Sequence, residues 1–419
     1  MTGALAGLTV TVVGIYYAPD STGIAPYTTD LCETLAANGA SVHAVVGIPH
    51  YPQWTVDAGY RTGLRHRESR NGVQVTRSRH FVPQRQDVLR RGLYELTFGI
   101  GAAAASHHDR PDLVLGVTPN LAGAAAAGRL ARRRGVPLGI VVQDLVGLGA
   151  RQSGIRGGAG VADRIARLEA SVLRRADRVA IITDAFRKPL SDSGVPSDRV
   201  DVLPNYVHVT SSTADRDAAR RILGWPLDRP IAVHAGNMGL KQGLHTLVEA
   251  ARLADGRRSD VLFMLVGDGS MRRSLERQAA GIGAIRFIDP LSHEDFPLAL
   301  AAADTLVLNE RPTVADMSLP SKLTSYLAAG PAVVAATARA SAAAAEIGRS
   351  GGGVLVPPGD SAAVLTAVER IAGDPGLASS LGRAGRAYAE GSLSRSAGRD
   401  RILAFVLDTV ARDVAVPSH

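Results

Sequence analysis

One cysteine, Cys32, stands in 419 residues, so no intramolecular disulfide can form and a reducing compartment is the natural setting. Aromatic residues make up 4%, too few for a surface that stacks bases, and no DNA- or RNA-binding signature accompanies them. No run of about 18 apolar residues occurs. The start, MTGALAGLTVTVVGIYYAP, has no basic segment leading into a long apolar one. Together these absences predict a cytoplasmic chain without a membrane span and without a nucleic-acid partner. The loop GxxxxGK[ST] is missing, which argues against a kinase or ATPase. Nor does GxGxxG follow the first apolar run, which argues against a nicotinamide-dependent dehydrogenase or epimerase. His107-His108 has no third ligand at metal spacing, so no metal site is expected.

What is present is ordinary for a globular protein: 46% hydrophobic and 21% charged residues. The length exceeds what one core spans, so two domains of about 200 residues are expected. Net charge is +8, and residues 51–100 hold nine arginines against four acids. That excess reads first as a solvated face. A surface that meets anionic lipid or a phosphate-bearing acceptor is the sharper alternative.

Strand-like and helix-like segments alternate from end to end. LTVTVVGI, SVHAVVG, PDLVLGVT, VPLGIVVQD and RVAIITD are continuous aliphatic runs of strand length, with helical segments between them. The pattern restarts near residue 230 with RPIAVHAG, SDVLFMLVG, IRFID, DTLVLN, PAVVAA and GGVLVPP. Such alternation predicts α/β architecture, two Rossmann-like domains with parallel sheets facing each other across a central cleft. The expected boundaries are 1–205 for the first domain, 206–393 for the second, and 394–419 for a final helix returning to the first. VLRRGLYELTFGIG reads as a packed helix, with a peripheral membrane contact as the alternative.

Chemistry concentrates in three places. AVHAGNMGLKQGLHTLVEA sets Gly236, Gly239 and Gly243 between a strand and a helix, with Lys241 inside the turn. Glycine lets backbone N–H groups approach an anion, and the helix start and the lysine add positive potential there. FMLVGDGSMRRSLER carries Gly267 and Gly269 in a second strand-to-helix turn. In VADMSLPSKLTSYLAAG, Pro320 opens a helix whose first N–H groups could hold a diphosphate, and a plain buried helix is the competing account.

In this order the three pieces resemble the family-4 retaining glycosyltransferases of the GT-B fold, nearest to the colanic-acid and exopolysaccharide branch. GIYYAPDSTGIAPYTTDLCETLAANG, GIPHYPQW, VVQDLVGLG, VDVLPNYV and VLVPPGD support the match. HAGNMGLKQGL with DMSLPSKLTSYLAAG carries it. The resemblance implies transfer of a hexose or 6-deoxyhexose from a UDP- or GDP-sugar to a hydroxyl on a glycan, a lipid-linked glycan or a small molecule, with no cofactor. It places Lys241 on the donor diphosphate and Gly236 in the same turn. Asn237 falls where most members have an arginine serving that diphosphate. Gly23 matches the glycine that lets the first domain approach the donor, and Gly267 and Gly269 the turn beside the nucleoside. Phe287 to Leu291, with Pro290, match the segment that meets the base. Two glutamates eight positions apart are usual; here Met317 and Ser325 stand there. Asp316 could assume the first role, and Ser325 could still reach a ribose hydroxyl, with Ser318, Leu319 and Pro320 completing the donor wall. Gln143 occupies the place of an active-site histidine, followed by Asp144. The lost acids leave two alternatives: a degenerate member that only binds nucleotide sugar, and a hydrolase or epimerase of the same fold.

Overall fold

The computed structural model describes residues 3–20, 23–51, 53–84, 88–107, 109–147, 159–207, 212–312 and 321–411. The chain parts into two compact units, Met1–Pro204 with Gly398–His419, and Asn205–Ala397.

The first unit is built on an eight-stranded sheet. Its strands are β1 (Thr9–Gly14), β2 (Ser41–Gly47), β3 (Arg65–Arg70), β4 (Val73–Ser78), β5 (Leu113–Val117), β6 (Leu138–Val142), β7 (Arg178–Ile181) and β8 (Val200–Val202). They lie in the order β3-β4-β2-β1-β5-β6-β7-β8. Pairings are parallel except that of β3 with β4, a hairpin turning at Asn71 and Gly72 with φ of 47° and 82°. Two consecutive left-handed residues are what a tight hairpin turn requires, and Asn-Gly supplies them. This strand departs from the all-parallel expectation. β3 reads RHRESR, with no apolar face to bury, and it forms the sheet edge. Three of the nine arginines at 51–100, Arg65, Arg67 and Arg70, therefore guard an open edge against pairing with another chain.

The second unit is a six-stranded parallel sheet made of β9 (Ile231–Ala235), β10 (Leu262–Val266), β11 (Ile285–Ile288), β12 (Thr305–Asn309), β13 (Ala332–Ala336) and β14 (Gly353–Val356). The order is β11-β10-β9-β12-β13-β14. β9, β10, β12 and β13 are buried along their whole length, as a sheet covered on both faces demands. Helices His245–Arg257 and Ser361–Gly373 place Leu247, Val248, Leu365 and Val368 in the core on one side. Because neighbouring strands run parallel, β9 to β12 all deliver their following loops to one edge of the sheet.

Candidate functional site

At that edge, β9 ends in Ala235 and the chain enters the turn 236–243. Gly236 has φ 124° and donates its N–H to the Val266 carbonyl at 2.9 Å. The Met238 N–H reaches the Asp268 carbonyl at 2.8 Å, so the turns after β9 and β10 are joined backbone to backbone. Gly267 has φ 127°, and a Cβ there would fall 2.2 Å from the Gly236 carbonyl oxygen; no other residue fits. A Cβ on Gly269 would meet the Asn237 side chain and the Met238 carbonyl at 2.6 Å.

The far end of the turn is fastened from β12. The Asn309 side-chain amide donates to the carbonyls of Gln242 and Gly243 at 2.7 and 3.0 Å, and the Arg311 N–H donates to the Lys241 carbonyl at 3.0 Å. With its backbone pinned in this way, Lys241 keeps an exposed side chain, and Asn237 in the same turn is exposed too. Phe287 to Leu291 leave the end of β11, where Arg272 donates to the Gly267 carbonyl and pairs with Asp289, both at 2.7 Å. Pro290 is exposed and Leu291 partly so.

Helix Ser321–Ala329 closes the corner. Its Tyr326 hydroxyl accepts the Ala235 N–H at 2.7 Å and donates to the Ala235 carbonyl at 3.1 Å. Ser325, one residue earlier, is buried. In the first turn, Lys322 Nζ lies 3.3 Å from His234 Nε2, and a Cβ on Gly236 would come within 3.6 Å of it. Burial pushes the lysine down to about 8, against the opposing pull of Glu310. Burial first, and Lys322 second, hold His234 far below the usual histidine range and therefore neutral. Lys322 was not foreseen from sequence; a lysine opening a helix reads as solvated, and its histidine partner sits 88 residues earlier.

The first unit gathers a second group of polar side chains at the carboxyl ends of β1, β2 and β6. Gly23, with φ 64°, begins the helix Ala25–Ala37, and a Cβ there would come within 3.1 Å of the Tyr51 ring. Gln143 is buried just past β6, its N–H 3.3 Å from the Thr118 hydroxyl, and Asp144 follows it. Burial, then Asp144, then Asp20 raise the Tyr51 phenol, which places both carboxylates in its field. Asp20 itself is lifted to about 6 by burial, opposed by N–H bonds from Tyr51 and His50. Behind them the Tyr94 hydroxyl lies 3.2 Å from His50 Nε2 and 3.0 Å from the Tyr16 hydroxyl. Asp316, Met317, Ser318, Leu319 and Pro320 lie outside the described residues.

Residues 22–206 match the glycosyl transferase 4-like domain, and residues 229–374 match glycosyl transferases group 1. The colanic acid biosynthesis glycosyl transferase WcaI of Escherichia coli (strain K12) is 32% identical over 336 residues, 77% of this chain and 81% of that protein. The chain belongs to glycosyltransferase family 4. Among solved structures, sucrose-phosphate synthase from Thermosynechococcus elongatus superposes with a TM-score of 0.76 at 19% identity, over 97% of this chain and all of that one. The Anabaena protein HepE, solved in complex with UDP, gives 0.71 at 16% identity, with 97% and 100% covered. The fold of this glycosyltransferase is thus GT-B in type, and its reaction is sugar transfer. Within the second unit, Gly236, Asn237, Lys241, Gly267 and Gly269 converge on one edge with the start of the Ser321–Ala329 helix. Gly23, Gln143 and Asp144 belong to the first unit.

Proposed function

We propose that this glycosyltransferase moves a hexose or 6-deoxyhexose from a UDP- or GDP-sugar to a hydroxyl acceptor, with retention and without a cofactor or metal ion. The observation that carries the reading is the 236–243 turn. Its backbone is pinned from β10 and β12, while Lys241 is left free to project. A diphosphate set against such a turn meets N–H groups, a helix start and an ammonium together.

The chemistry follows from that corner. The bond between the anomeric carbon and the β-phosphate oxygen breaks, and its electron pair leaves on the diphosphate. The acceptor oxygen bonds to the same carbon from the same face. Its proton passes to the departing phosphate oxygen, which serves as the base. Lys241 offsets the charge developing on the diphosphate, a contact worth about 3 kcal/mol of barrier, or about two orders of magnitude in rate. Asp316, Met317 and Ser325 are assigned to the donor sugar and ribose, Pro290 and Leu291 to the base. Gly23, Gln143 and Asp144 are the N-terminal unit's contribution to the reaction.

The acceptor we favour is a lipid-linked glycan, met at the cytoplasmic face of a membrane. What supports this is the helix Val88–Ala105. Leu89, Leu93, Leu96 and Ile100 form one exposed face at spacings of four, three and four. Beside it a cavity of about 760 Å³ is lined by Trp54, Arg61, Leu64, Arg79, Phe81 and Thr97. An apolar face with arginines next to it suits an anionic lipid surface.

The test is thermal stabilisation by UDP, GDP, dTDP and ADP without added metal. A nucleotide at 100 times its Kd adds about 2.7 kcal/mol. A shift with one nucleotide, lost in Lys241→Ala, is expected; no shift from folded protein with any of them overturns the reading. Binding without transfer is the second reading, favoured by Met317 and Ser325 standing where two carboxylates are usual. Asp316→Ala decides between them: a variant that still binds nucleotide but no longer transfers marks an enzyme that uses a displaced acid.

A further inference from the structure

Most enclosed cations in proteins sit in an ion pair; Lys322, half-buried, makes none among the described residues. The only hydrogen bond its ammonium makes there is to His234, an uncharged partner. With the His234 Nδ1–H on the Val307 carbonyl at 3.2 Å, Nε2 can accept one Lys322 N–H at 3.3 Å, and the Asn237 backbone also bonds the same ring. Glu310 acts on it electrostatically, but its carboxylate accepts the Thr337 hydroxyl. Two ammonium N–H bonds thus remain for something else. The bend at Gly236 also lies against the ammonium: a Cβ there would stand 3.6 Å from Nζ, and glycine leaves that approach uncovered. The same bend carries Asn237, a neutral amide.

We propose that Lys322 is a second donor-site cation, its ammonium held by neutral His234 and aimed past Gly236 at the diphosphate of the nucleotide sugar. It supplies from the start of the Ser321–Ala329 helix the charge that Asn237 cannot. The proposal rests on the nucleotide-sugar reading above. Without an anion, a lysine so enclosed is a standing desolvation cost, which is why burial holds it at about 8. With a diphosphate in place, the ammonium gains the direct ion pair it lacks.

The experiment compares UDP and GDP with uridine and guanosine, by calorimetry, on the unaltered protein, Lys322→Met and Lys322→Arg. Lys322→Met should weaken the diphosphate about ten- to hundredfold while leaving the nucleoside unchanged, since a charge-assisted hydrogen bond is lost. Lys322→Arg should restore most of the difference. Removing an uncompensated charge should leave the Tm level or raised. A lysine with a purely structural role would instead lower Tm and weaken nucleotide and nucleoside alike, and either that result or an unchanged diphosphate affinity overturns the proposal.

A second measurement needs no variant. The groups facing Lys322 are His234 on β9, Glu310 beyond β12 and Tyr326 one turn along its own helix. As pH rises past about 8 the unliganded lysine loses its proton. Diphosphate affinity should then fall by up to about tenfold per pH unit while nucleoside affinity holds. A flat profile to pH 9.5 counts against Lys322. If neither UDP nor GDP binds the unaltered protein at all, it is the nucleotide-sugar reading that has failed.

Discussion

Asp20 shows how a single enclosed side chain sets a pH dependence. Burial lifts its carboxyl to about 6, so between the ordinary carboxylate range and pH 6 the folded chain holds a proton that the unfolded chain has released. Stability is then greatest at low pH and falls as pH rises through that window, beyond which the ionised group imposes a constant cost. Asp20→Asn keeps an oxygen to accept the Tyr51 N–H and removes the charge. Its Tm should exceed that of the unaltered protein at pH 7.5 and converge with it at pH 4; equal melting at both pH values would show that the ionised carboxylate costs nothing. Neither Asp20 nor Lys322 could be picked out from the sequence, because each owes its character to neighbours far along the chain. Gly236 and Gly267 were legible, since glycine between a strand and a helix has few other uses. That they press on one another at backbone distance was not.

Elements were legible where one face is apolar and the other is not, or where a strand is apolar throughout. The aliphatic strands β1, β2, β9, β10, β12 and β13 all fall within runs evident in the sequence. Two elements defeated that logic for opposite reasons. β3, RHRESR, has no apolar residue, and its hairpin was not foreseen although the Asn71-Gly72 pair carries the turn signal. The Val88–Ala105 helix has apolar residues on more than one side of its few charged ones, Arg90, Arg91 and Glu95, so periodicity could not say which side packs. In the structure Tyr94, Phe98 and Ala102 are buried, while Leu89 and Ile100 remain 85% and 62% exposed. The double variant Leu93→Glu, Leu96→Glu bears on this face. Both positions are solvated, so stability should change by less than about 1 kcal/mol. Flotation with anionic phospholipid vesicles should drop about tenfold or more if the face meets lipid, and unchanged flotation would remove the membrane from the proposal.

At the scale of the molecule, the chain leaves its first unit after Pro204 and re-enters it at Gly398. The helix Arg395–Ala411 straddles the second passage. Ile402, Phe405 and Val406 are buried, and the Phe405 ring packs on β6, 3.1 Å from where a Cβ on Gly139 would stand. Arg399 pairs with Asp30 at 3.0 Å, and Arg178 with Asp408 at 3.5 Å. Phe405→Ala should therefore cost the N-terminal unit about 3–5 kcal/mol and leave the other unit's transition in place, which calorimetry resolves as two separated melts. A single melt shifted as a whole would mean the units unfold together. This closing helix also sets an order of events during synthesis. The unit made first cannot be finished until the ribosome has delivered its last piece, about 200 residues later. At 5–20 residues per second, that is a wait of about ten to forty seconds. Meanwhile the contiguous second unit can fold to completion, and the nascent N-terminal unit holds the apolar seat of Phe405 open to solvent and to chaperones.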